Sequence, residues 1–304
     1  MEFLLMSAKI IDGIHIARSI QQDIQQELEN VLFFKPSLTV ILVGDNAASK
    51  TYIRMKQKAC AAVGIHSELI HLPSEISEEE LVDLIKRLNE ASTVNGILVQ
   101  LPLPKHINSE AVMESISPLK DVDGLHPINM GKLLSGRTDC LVPCTPKGII
   151  QILKQSQIEI AGKHVVIVGR SNIVGKPLGA LLMQKSDEGN ATVTIAHSYT
   201  QNLEAICLSA DILVAAIGQP NFIKKEMVKP GAIVIDVGVN KITDPKDNQK
   251  TKLVGDVDFT EVAPICSVIT PVPGGVGPMT IAMLLSNTLH CFKLQKKLIS
   301  PGAL

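Results

Sequence analysis

The chain has 304 residues, 45% of them hydrophobic, with 29 basic and 30 acidic side chains and a net charge of −1. That balance argues against a nucleic-acid or membrane partner held by bulk charge. With aromatics at 3%, no Trp and two Tyr, a surface for stacking a run of bases is not expected, although one Tyr suffices as a plate for one flat ligand.

The length calls for two domains or one large one. The opening MEFLLMSAKIIDG has one short apolar run with no basic region before it and reads as neither a signal peptide nor an anchor, with Met6 as an alternative start. No apolar stretch reaches the roughly 18 residues of a spanning helix. Six scattered cysteines read as buried, reduced thiols of a cytoplasmic protein, and no paired Cys/His spacing calls for a metal.

In chain order, a helical pattern runs from about His15 to Leu32, and LTVILV (38–43) is a strand stopped by Gly44. A helix over 47–63 ends at Gly64, which suits a left-handed cap. His66 to Leu72 is a second strand, and Ser77 with Glu80 forms a capping box for a helix reaching about Glu90. GILVQL (96–101) is a third strand, ended by Pro102 and Pro104. A short helix spans 108–116, 121–144 is loop-rich, and a helix follows from Pro146 to Lys154. The second half repeats the alternation. Strands are expected at 164–168, 191–196, 212–216, 232–237 and 265–269, with helices near 177–185, 201–208 and 224–228. Segment 186–190 reads as a surface loop and 243–252 as a polar hairpin. A last helix runs from Pro278 to about Lys297 and can cross back onto the first half. Alternating strands and helices give two α/β units with parallel sheets.

Ligands of such sheets bind beyond the carboxyl ends of the strands. After the first strand, Ser49, Tyr52 and Lys56 share one helix face. That face is either a solvated surface, which spacing alone favours, or a stacking plate beside a proton-transfer amine. Gln100, near the end of an apolar strand, needs a partner if buried, and Lys56 is one; the alternative is an edge amide in water. Asp123 in KDVDGLHP reads locally as a turn residue capping its own backbone. The other reading is a carboxylate that holds an N–H-rich ligand edge.

The stretch HVVIVGRSNIVGKP (164–177) is a buried strand, a glycine turn and a helix start, the order of a phosphate cradle. It lacks the G-x-G-x-x-G fingerprint, because Arg170 and Ser171 follow Gly169. The next strand ends in His197, Ser198, Tyr199 and Thr200, with no acid to meet a ribose 2′-hydroxyl. Arg170 and Ser198 suit a 2′-phosphate instead, so NADP is preferred to NAD; otherwise Arg170 is a solvated turn residue. TPVPGGVGPMT (270–280) is a second glycine-rich turn, read as ligand-facing.

Together the blocks TYIRMKQKA, GILVQLPLP, KDVDGLHPIN, PCTP, VVIVGRSNIVGKP, DVGVN, GDVDF and TPVPGGVGPMT, in order over nearly the whole chain, resemble the bifunctional methylenetetrahydrofolate dehydrogenase/methenyltetrahydrofolate cyclohydrolases. The resemblance implies two α/β domains flanking a cleft. Residues 1–147 with 281–304 would form the folate-binding catalytic domain, and 148–280 the Rossmann-like NADP-binding domain. It implies Lys56, Gln100 and Asp123 as catalytic residues: Lys56 as base or proton relay, Gln100 holding it, and Asp123 on the pterin edge. Tyr52, Pro273 and Gly274 would bind the folate. Gly169, Arg170, Ser171, Ser198 and Val239 would bind NADP, with Val239 at the nicotinamide end. It further implies a cytoplasmic homodimer of one-carbon metabolism that supplies purine biosynthesis. The rivals are a monofunctional dehydrogenase of the same fold, a shikimate-type dehydrogenase and a non-catalytic NADP sensor. Lys56 with Gln100 speaks against the first and third, and the Tyr52–Lys56 helix with the Asp123 loop against the second.

Overall fold

The computed structural model describes residues 8–31, 35–244 and 247–298. The chain opens with β1 (Lys9–Ile10) and α1 (Gly13–Val31). A βαβαβ run follows: β2 (Ser37–Val43), α2 (Ala47–Val63), β3 (His66–Leu72), α3 (Glu78–Glu90) and β4 (Gly96–Val99). Three helices, α4 (Ser109–Ser115), α5 (Pro127–Leu134) and α6 (Cys144–Gln155), lead to the second run. That run comprises β5 (His164–Val168), α7 (Gly175–Leu182), β6 (Thr192–Ala196), α8 (Leu203–Leu208), β7 (Ile212–Ala215) and β8 (Ile233–Asp236). A hairpin of β9 (Asn240–Asp244) and β10 (Asp247–Val254), then α9 (Phe259–Val262), β11 (Val268–Ile269) and α10 (Val276–Gln295) complete it. The helix expected near 224–228 is a single 3-10 turn, Lys225–Met227.

The chain divides into two compact units. One holds Arg18–Cys144 and the residues from Ile281 onward; the other holds Thr145–Thr280 and the described residues up to Ala17. The leading residues thus differ from the division drawn at 147/148. The cause is β1, which pairs in parallel with β11 (Lys9↔Val268, Ile10↔Ile269) and so joins the sheet of the second half.

In the first unit a three-stranded parallel sheet has the order β3-β2-β4. Central β2 is buried along nearly its whole length, which is why it reads as an unbroken apolar run. Ile41 and Val43 pack with Leu81, Ile85, Ile97 and Val99 into one core. The capping box forms: Glu80 N donates to Ser77 Oγ at 3.2 Å, and Ser77 N to Glu80 Oε2 at 2.9 Å. Gly64 closes α2 in the left-handed region, at φ +87°. The last part of α10 belongs to this unit. There Gln295 Nε2 donates to Asn95 O at 2.8 Å and Leu119 O at 3.1 Å.

The second unit is a six-stranded parallel sheet, ordered β1-β11-β8-β7-β5-β6. β5 starts mid-sheet, β6 lies to one side of it, and β7, β8 and β11 lie to the other. The strand order therefore reverses between β5 and β7, and ligands of open α/β sheets bind outside such a switch point.

Candidate active site

In the three-stranded unit the site is assembled by β2, β4 and the segment after β4. Asn46 caps α2, its side chain accepting from Ser49 N at 3.0 Å, so the helix starts directly beyond the carboxyl end of β2. Of the shared face, Ser49 is buried, Tyr52 is 44% exposed and Lys56 is half-buried. Lys56 Nζ donates to Gln100 Oε1 at 3.1 Å. Gln100 Nε2 donates to Leu101 O at 2.8 Å, which turns the amide carbonyl toward the lysine. Gln100 lies one residue beyond β4, and its backbone N–H still reaches Ile41 O at 2.9 Å. The amide is thus a partner of Lys56 rather than an edge group in water.

The segment carrying Asp123 runs alongside β4, Ile97 N donating to Lys120 O at 2.8 Å. Lys120 and Asp121 are buried and structural. Lys120 Nζ donates to Leu88 O at 2.9 Å and Ala91 O at 2.8 Å, closing the carbonyl end of α3. Asp121 accepts from Leu125 N, His126 N and Asn129 Nδ2 at 3.2, 2.8 and 2.9 Å. The turn-capping carboxylate is therefore Asp121, two residues before the one the local sequence suggests. Asp123 faces other groups. Cys144 Sγ lies 3.9 Å from its Oδ1, and the Lys56 charge acts on it. Burial pushes the Asp123 carboxyl up, and Lys56 and Cys144 offset only part of that rise. Lys56, Gln100 and Asp123 thus gather at the carboxyl end of one small sheet, with Tyr52 one helical turn from Lys56. Cys144 is a contact that sequence reasoning missed; PCTP carried no signal for it beyond its place in the resemblance.

In the six-stranded unit β5 ends at Gly169, at φ +130°. A Cβ there would lie 2.1 Å from Ala216 O, and one at Gly175 would lie 2.1 Å from Gly169 O. Only glycines let the start of α7, the end of β5 and the end of β7 approach this closely. Val174 at the α7 N-cap offers no side-chain cap; Ser171 ties the turn instead, its backbone oxygen accepting from Lys176 N at 3.1 Å and its Oγ from Val174 N at 3.1 Å, and Pro177 has no N–H to offer. Arg170, Ser171 and Ser198 are exposed around this turn. The Arg170 guanidinium sits 5.8 Å from the ring centroid of Tyr199, which follows Ser198 in the chain and is 82% exposed. Val239 is half-exposed after β8; Pro273 and Gly274, at φ +106°, lie in the turn before α10. The glycine cradle leaves backbone room for a dinucleotide phosphate, and residues 197–200 after β6 carry no carboxylate. Tyr199 as a support for Arg170 was not expected from the sequence.

A parallel sheet with a glycine turn at its switch point marks an α/β protein of the dinucleotide-binding class. Residues 11–123 match the family model for the tetrahydrofolate dehydrogenase/cyclohydrolase catalytic domain, and residues 143–296 match that for its NAD(P)-binding domain. The chain belongs to the tetrahydrofolate dehydrogenase/cyclohydrolase family. It is 54% identical over 289 residues to the bifunctional protein FolD of Protochlamydia amoebophila, covering 95% of this chain and 99% of that one. The crystal structure of the bifunctional FolD enzyme of Campylobacter jejuni matches with a TM-score of 0.89 and 44% identity, over 96% of this chain and 100% of that chain. The Trypanosoma brucei dehydrogenase-cyclohydrolase, described as complexed with NADP and inhibitor, matches with a TM-score of 0.88 and 40% identity, over 97% and 100%. Among the described residues no helix is long and apolar enough to cross a membrane.

Proposed function

We infer that this chain carries out both family reactions: oxidation of 5,10-methylenetetrahydrofolate with NADP, then hydrolysis of the 5,10-methenyl product to 10-formyltetrahydrofolate. NADP, when bound, supplies the hydride acceptor. A folate nitrogen lone pair replaces the departing hydride's electrons, leaving the methenyl cation. Water then adds to that cation carbon with loss of one proton, and the bond from that carbon to N5 breaks as N5 takes up a proton and the hydroxyl gives one up, leaving the formyl group on N10. The protein's contribution to the first step is orientation of two flat rings. Its contribution to the second is a group that takes the proton from water.

In this reading Tyr52 stacks on the folate ring, Asp123 accepts from the pterin edge, and Lys56 manages the proton. Gln100 holds the lysine amine in place. Pro273 and Gly274 line the folate site. Gly169 and Ser171 hold the dinucleotide, Arg170 and Ser198 its 2′-phosphate, and Val239 borders the nicotinamide. The 3.1 Å contact from Lys56 to Gln100, with Asp123 under the same lysine's field, carries the reading, because an oxidation-only enzyme has no use for a held amine. The resemblance adds a cytoplasmic homodimer supplying one-carbon units for purine biosynthesis; sedimentation at assay concentration tests the dimer. The functional test is NADPH formation from methylenetetrahydrofolate, followed by decay of the methenyl absorbance. Reduction without accelerated decay leaves only the monofunctional alternative.

A further inference from the structure

Two buried carboxylates in the six-stranded unit have no place in the reactions above. Asp236 ends β8 and Asp256 follows β10, and both are almost fully buried. Each enters space that only a glycine leaves. A Cβ at Gly255 would lie 1.7 Å from Asp236 Oδ2, and one at Gly238 would lie 2.1 Å from Asp256 Oδ1. This reciprocal insertion explains why a glycine stands close to each aspartate in the chain, Gly238 two residues after Asp236 and Gly255 directly before Asp256.

The partners of the two carboxylates are mostly loop N–H groups at the carboxyl edge of the sheet. Asp236 accepts from Gly238 N at 3.0 Å, Asp256 N at 2.9 Å and Val257 N at 3.0 Å. Its own backbone N–H donates to Thr270 Oγ1 at 2.7 Å, just before the PVPGG turn. Asp256 Oδ2 accepts from Ile217 N at 2.6 Å and Gly218 N at 2.9 Å, and its Oδ1 accepts from Asn240 Nδ2 at 2.8 Å. Ile217 and Gly218 directly follow Ala216, the residue packed against Gly169 in the cradle. Val239, half-exposed, lies between Gly238, bonded to Asp236, and Asn240, bonded to Asp256.

We propose that Asp236 and Asp256 are positioning residues for hydride transfer, a two-carboxylate brace that sets the loops after β7 and β8 against the nicotinamide half of NADP. The proposal rests on the bifunctional reading. Burial pushes the Asp236 carboxyl up to about 7, with the nearby Asp256 adding to the rise and the N–H groups of Val257, Asp256 and Gly238 offsetting part of it. Neither residue touches a reacting atom. Their effect passes through the placement of backbone, where a displacement of about 1 Å costs about a hundredfold in rate.

The test uses both activities of the same preparation. Asp256→Asn can keep an oxygen toward Ile217 and Gly218 but turns an NH2 group toward the Asn240 NH2. Its hydride-transfer kcat is expected to fall about tenfold or more. Hydrolysis of supplied methenyltetrahydrofolate, which needs no dinucleotide, and binding of 2′,5′-ADP, which reports the phosphate end, stay within about twofold. Adding Asn240→Asp to Asp256→Asn reverses the donor and acceptor of that bond and restores hydride transfer. Asn240→Ala breaks the same tether without altering either buried carboxylate, and is expected to show the same selective loss if Asp256→Asn does not fold. Equal loss of both activities, unchanged hydride transfer, or no recovery in the double variant overturns the proposal. A wild-type protein lacking either activity defeats the bifunctional reading instead, so the two failures are distinct.

Discussion

Gln100→Met isolates the contact on which the proposed hydrolytic role of Lys56 rests. Methionine matches the length and volume of glutamine but offers no oxygen to Lys56. Because Gln100 Nε2 is committed to Leu101 O at 2.8 Å, the carbonyl has one task, accepting from Lys56 Nζ at 3.1 Å. A hydrogen bond from a charged amine in a half-buried site contributes about 1.5–3 kcal/mol. If the bond orders the amine for the transition state, its loss appears as about a tenfold to hundredfold slower methenyl hydrolysis. The assay is decay of methenyl absorbance under single-turnover conditions, beside NADPH formation from methylenetetrahydrofolate by the same variant. Hydride transfer does not use the amine as a base and is expected to change by less than about threefold. Hydrolysis at the wild-type rate, or equal loss in both assays, refutes the assignment of Gln100 as the holder of Lys56.

Arg170→Ala removes the guanidinium that lies over the Tyr199 ring. It is expected to weaken NADP by about tenfold or more while leaving NAD nearly unchanged; equal losses in titrations with both dinucleotides would reject the 2′-phosphate role. Burial holds the Asp123 carboxyl above its ordinary range, so the folded state prefers the protonated form. The stability that protonation contributes is full below the ordinary carboxylate value and fades as pH rises through the raised one. Asp123→Asn is therefore expected to show a higher Tm than wild type at pH 8, with a margin that shrinks toward pH 4, and to lose folate binding. A constant or inverted margin in scanning calorimetry contradicts the burial argument. Lys120→Met strands Leu88 O and Ala91 O at the end of α3 and is expected to cost about 2 kcal/mol in urea unfolding. A change within about 0.5 kcal/mol would show that those carbonyls find other partners.

Where local chemistry is decisive, the fold is legible in the sequence. The apolar run of β2, the Ser77–Glu80 box and the left-handed Gly64 each follow from a few adjacent residues. α5 escapes because its eight residues carry Pro127 and Gly131, and its cap is the ring of His126, whose Nδ1 accepts from Ile128 N at 3.0 Å. β1 escapes because two residues carry no period, and its membership depends on a partner strand some 260 positions away. The candidate site shows the same limit. In KDVDG, two carboxylates stand in nearly identical local settings. Asn129, together with the Leu125 and His126 amides, gives Asp121 the turn, leaving Asp123 beside Cys144. Nothing adjacent to Lys120 in the sequence marks it as the residue that closes the end of α3. The Asp236–Asp256 brace is invisible locally, because its donors come from three separate segments, 217–218, 238–240 and 256–257.

The most direct measurement of the central claim, that Lys56 makes this α/β scaffold a hydrolase as well as a dehydrogenase, is the methenyl hydrolysis rate of Lys56→Ala beside its NADP affinity. The account predicts hydrolysis no faster than in buffer, with NADP bound as tightly as by wild type. Hydrolysis at the wild-type rate would remove Lys56 from the mechanism and the central claim with it.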